Sequence, residues 1–205
     1  MLRRPHYLLI LGCLASVCVI GCGQQTISIP PQSVFFIETL AEKTVEQLPP
    51  GPLYWRVENF PTIAEARSAA GPTSLTAETT GKAWLFTLGP AGGATSGSRF
   101  VAEIGPVPIV PASKYLLRLN RAGGPPGAAT PTHSHPGSEA FYVLAGQLTQ
   151  RTTHGDTRLD AGQSMNGHDP GIVMQLTSSG EADLEQLVLF VVDATKPFSS
   201  PATLP

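Results

Sequence analysis

From residue 83 to residue 192 the apolar runs of this chain are four to nine residues long, and turn-forming residues close almost every one. Runs of that length match a strand and fall short of a helix of ordinary length. The segments 83–88, 99–104, 114–119, 140–145, 147–153, 156–159, 172–177 and 184–192 therefore read as strands. The segments 89–97, 105–111 and 122–131, rich in glycine or proline, read as the turns between them. Gly and Pro, 21 and 20 of the 205 residues, make about a fifth of the chain, while charged residues are only 14%. Many short strands without interleaved helices favour a sandwich or barrel over α/β units. There is no internal repeat and no sign of a second domain.

Upstream the pattern is more mixed. Residues 34–48 read as a strand running into a helical turn, and Pro49-Pro50-Gly51-Pro52 then breaks the chain. The aromatic and β-branched stretch 53–60 reads as a strand. Residues 62–70 are the best candidate for a helix, with Thr62 as N-cap, Glu65 in the first turn and Gly71-Pro72 as the stop. The proline- and serine-rich tail 195–205 is expected to pack along the surface or fray.

The first 21 residues combine Arg3 and Arg4 with an uncharged apolar run from Tyr7 to Ile20. A spanning helix needs about 20 apolar residues, so the run is short for one, and its layout is that of an export signal. It ends in Val19-Ile20-Gly21-Cys22, which resembles the lipobox of bacterial lipoproteins. The resemblance implies a signal over 1–21 and lipid on Cys22. It also implies export, with the lipid holding the chain to the bacterial cell membrane or outer membrane, facing the periplasm or exterior. Cys13 and Cys18 would leave with the signal, so no disulfide is expected. Loss of Arg3 and Arg4 with no acid takes the formal charge from −2 to −4, which argues against nucleic-acid binding.

One segment carries chemistry. His133 and His135 stand two apart, a spacing that puts both imidazoles on one face of an extended strand. Glu139 follows, and a turn at Pro136-Gly137 would swing its carboxylate back toward the pair. Two imidazoles and a carboxylate suit Fe, Mn, Zn, Ni or Cu without choosing among them. With Gly127 and Gly146 the segment reads G-x5-H-x-H-x3-E-x6-G.

That frame, with the apolar run Ala140-Phe141-Tyr142-Val143-Leu144 inside it, resembles the first motif of the cupin superfamily. The resemblance implies an all-β fold, a double-stranded β-helix or jelly-roll barrel, here with a short N-terminal helical extension. It also implies that His133, His135 and Glu139 bind a divalent transition metal inside the barrel mouth. The expected organisation is a signal over 1–21, a tether over 22–33 and N-terminal strands with the short helix over 34–111. A barrel core over 112–194 and a tail over 195–205 complete it.

The second cupin motif is only outlined. Gly155, Ala161-Gly162-Gln163 and Pro170-Gly171 keep its frame, but the third histidine it calls for falls near Val173 or Met174. Alternation favours Met174, on an inward face with Ile172 and Leu176, as core filling or as a soft fourth ligand. His168, in a turn before that strand, is the other candidate to complete the site. His154 reads as a solvent-facing turn residue and His6 belongs to the signal. Tyr142 and Gln175 are further polar groups without an assigned role. Three readings stand at this point: a metal-dependent enzyme such as a small-molecule dioxygenase, isomerase or lyase; a non-catalytic module binding a small molecule or metal; and a structural envelope protein. The intact triad favours the first two, and the absent histidine shifts weight toward binding. Pairing into a homodimer through outer strands is consistent with the resemblance.

Overall fold

The computed structural model describes residues 34–167 and 169–204, so the export segment, Cys22 and His168 lie outside the described residues. In chain order the elements are β1 (Phe36–Val45), β2 (Tyr54–Phe60), α1 (Ile63–Ala69), β3 (Ser74–Thr79), β4 (Lys82–Gly89), β5 (Arg99–Ile104) and β6 (Tyr115–Gly124). They continue as β7 (His133–Ser134), β8 (Gly137–Ala145), β9 (Gln147–Thr152), β10 (Gly155–Asp160), β11 (Ser164–Asn166), β12 (Met174–Ser178), β13 (Leu184–Asp193) and β14 (Ser200–Pro201). Among the described residues no helix is long and apolar enough to cross a membrane.

The strands form three antiparallel sheets. The first is ordered β1-β6-β13-β8-β11, the second β10-β9-β12-β7-β14 and the third β3-β4-β2-β5. The first two enclose Phe141, Val143, Leu148, Leu176, Val188 and Phe190, the interior of a small barrel. The third sheet covers the outer face of the first, packing Trp55, Trp84 and Phe86 on Leu117, Leu119, Leu187 and Leu189. Each such side chain contributes roughly 1.5–3 kcal/mol through burial. This double coverage explains the sequence of β13, whose run Leu187-Val188-Leu189-Phe190-Val191-Val192 is apolar at every position. Odd positions face the third sheet and even positions face the barrel.

The all-β architecture read from the sequence is the one observed, and α1 is the helix expected there. Thr62 caps it, and Glu65 completes a reciprocal capping box. Two readings need correction. Residues 34–48 contain no helical turn, because β1 pairs with β6 along its length and stays extended. The strand β3 was not anticipated; it joins β4 through Thr80 and Gly81, both at positive φ, in a tight hairpin.

Candidate metal centre

His133 lies on β7, a two-residue strand of the second sheet; His135 follows directly after it, and Glu139 lies on β8 in the first sheet. The chain passes from the second sheet to the first at Pro136-Gly137, where a turn was expected. Gly137 is needed at that corner, since a Cβ there would clash with the Val191 carbonyl oxygen. The two glycines that frame the motif also have conformational reasons. Gly127 and Gly146 sit at φ +83° and +70°, a region that disfavours side chains.

The register of β13 with β8 places Glu139 on the barrel face, beside Phe141 and Val143. His133, His135 and Glu139 line one cavity of about 450 Å³. The rest of its wall is mostly apolar, with Phe35, Ile37, Leu176, Val188, Phe190 and Phe198 among the lining residues. His135 is wedged between the rings of Phe190 and Phe198, at centroid distances of 5.0 and 4.8 Å, and stands edge-on to His133 at 5.0 Å.

Each imidazole is oriented from behind. His133 Nδ1 donates to the Pro131 carbonyl and His135 Nδ1 to the Phe198 carbonyl, both at 2.7 Å. A carbonyl only accepts, so each Nδ1 carries a proton, and in the neutral ring Nε2 then presents a lone pair. This is the outer support that metal-bound histidines ordinarily receive. His135 Nε2 lies 3.8 Å from Glu139 Oε2, a buried oxygen with no hydrogen-bond partner. Burial pushes the Glu139 carboxyl up to about 8 and the His135 imidazole down to about 4. At neutral pH the ion-free pair is therefore not an ion pair. An ion about 2.1 Å from each atom fits between them.

The donor set thus fits a divalent metal in chemistry and tautomer. Among the described residues, however, no three His, Cys, Asp or Glu side chains converge closely enough to hold an ion as they stand. His135 and Glu139 form the nearest pair, with His133 beside them on the same cavity wall.

Other sequence-level candidates separate clearly. Met174 is buried, faces His133 across the ladder, and its Sδ accepts from Gln150 Nε2 at 3.4 Å. His154 is exposed in the β9–β10 turn. Tyr142 faces the outer layer, edge-on to Trp84, and Gln175 donates to the Thr130 carbonyl. Two contributors were missed. Phe198, in the tail, supplies both a wall and the carbonyl that orients His135; nothing in a proline-rich tail signals this. Gln150 is wholly buried and touches Glu139. Its signal was available: Leu148, Gln150 and Thr152 alternate, so a long amide stands on the inward face of a strand.

Residues 123–185, which include His133, His135 and Glu139, match the family described as the cupin domain. No curated protein matches the chain. Among solved structures it is similar to a double-stranded beta-helix protein from Klebsiella pneumoniae, at 22% identity over 42% of this chain and 75% of that one, with TM-score 0.37. It is similar to a cupin-like protein from Thermotoga maritima, at 18% identity over 43% and 65%, TM-score 0.39. A third similar structure is a DMSP lyase from Ruegeria pomeroyi, at 23% identity over 42% and 43%, TM-score 0.37.

Proposed function

We propose that the barrel binds a small, mostly apolar, oxygen-bearing molecule at a divalent transition metal held by His133, His135 and Glu139. The observation that carries this reading is that all three donors open into one cavity of about 450 Å³ with largely apolar walls. Among the described residues no lysine or arginine lines it, which disfavours polyanionic ligands such as dicarboxylates or phosphates. An ion there supplies Lewis acidity and open coordination positions for an oxygen donor. The walls desolvate the remainder of the ligand.

Elemental analysis of the purified protein tests the metal. Near-stoichiometric Fe, Mn, Zn, Ni or Cu is expected, and its loss in the His133→Ala, His135→Ala double variant. Less than about a tenth of an equivalent after reloading would sink the reading. Turnover is the second reading, favoured by the open coordination that three protein donors leave. Oxygen uptake or product formation with small phenols, thiols and keto-acids separates it from capture alone. We infer further that lipid on Cys22 tethers the module to a bacterial membrane. Cys22→Ser should release it from the membrane fraction, and unchanged retention would refute the anchor.

A further inference from the structure

The second cupin motif lacks its third histidine, and Met174, which takes that place, faces an amide instead of an ion. Gln150 reaches inward from β9 of the second sheet toward Glu139 on β8 of the first. Its Nε2 lies 3.4 Å from Glu139 Oε1 and 3.4 Å from Met174 Sδ. Both contacts are long for N–H donors. Its own Oε1 is buried and has no hydrogen-bond partner among the described residues. A fully buried amide usually has its hydrogen bonds made, and leaving one unmade costs about 1–3 kcal/mol. An apolar side chain of the same length would fill this space without that cost.

The two oxygens of Glu139 are distinguished by this arrangement. Oε1 accepts from Gln150, while Oε2 is unpartnered and lies toward His135 Nε2. We propose that Gln150 is the positioning residue of the centre. It holds one oxygen of Glu139 so that the other faces the ion, and so keeps a carboxylate in place where a third imidazole is missing. This rests on the metal reading given above. Met174, on this account, packs beneath the amide and does not bind the ion.

The test is Co2+ affinity of the full chain purified in detergent, measured by competition with a chromophoric chelator. Four forms are compared: wild type, His135→Ala, Gln150→Met and Met174→Leu. Gln150→Met is expected to weaken binding roughly 10–100-fold, the usual loss when a metal's outer support is removed, and to shift the visible Co2+ bands. Met174→Leu should stay within about threefold of wild type on the same reasoning, since it removes no support from Glu139. If wild type and Gln150→Met bind equally while His135→Ala does not bind, the metal reading stands and the role of Gln150 is overturned. If wild type binds no Co2+, the metal reading fails and this proposal with it. Should Gln150→Met not fold, the wild-type chain decides by NMR. On Zn2+ addition the Gln150 side-chain amide resonances must move more than those of Gln163 and Gln175, and equal shifts refute the proposal.

Discussion

The sheet of β6, β13 and β8 is buried on both sides, and its two faces differ. The outer face meets the third sheet through leucine, valine and aromatic rings. Its only unpartnered buried polar atoms among the described residues are Trp55 Nε1 and Ser138 Oγ. The barrel face, with the strands opposite it, carries Glu139 Oε2, Gln150 Oε1, Ser178 Oγ and both amide atoms of Gln186 without partners. Buried polar atoms in native proteins are ordinarily paired, so a concentration on one face requires a cause. A packed core explains the outer face. On the inner face Glu139 lines the cavity at which we propose that an ion binds, and the orphaned atoms there lower the stability of the ion-free fold.

Substitutions on the two faces should therefore act with opposite sign. Leu189→Ala opens a cavity in the outer core and should cost about 2–5 kcal/mol in urea unfolding, with metal uptake by the folded fraction intact. Glu139→Leu on the inner face should abolish metal uptake yet raise the stability of the ion-free protein by about 1–3 kcal/mol, because an unsatisfied carboxyl is removed. Destabilisation by both would remove the distinction between the faces.

The smallest effect is in the pH dependence of the ion-free protein. Glu139, raised to about 8 from 4.5, contributes stability that is complete below 4.5 and lost as pH rises through 8. His135, lowered to about 4 from 6.5, contributes stability present above 6.5 and lost as pH falls through 4. Between 6.5 and 8 only the first changes, so stability should fall by roughly 1–2 kcal/mol as pH rises across that window. Thermal melts should show the fall, and Glu139→Gln should flatten it. Metal uptake should strengthen over the same range, because the ion displaces the Glu139 proton.

The inner and outer faces were not equally legible in the sequence. Alternation put His133 and His135 on one face of the chain, and the resemblance of the Gly127–Gly146 frame to the cupin motif joined Glu139 to them. The same parity put Met174 inside. The capping box at Thr62 and Glu65 is local chemistry and was readable for that reason. Strands such as β7, β11 and β14 are two or three residues long and exist only through their partners, so no run announces them. The carbonyl of Phe198 meets His135 across 63 residues of chain, a contact that depends on closure of the barrel and leaves no local trace.

The most direct test is a crystal structure of the metal-loaded protein with anomalous scattering recorded at the metal edge. A single peak inside the barrel is predicted, about 2.0–2.2 Å from His135 Nε2, Glu139 Oε2 and His133 Nε2. A barrel without such a peak, or a metal bound only at the surface, would contradict the account.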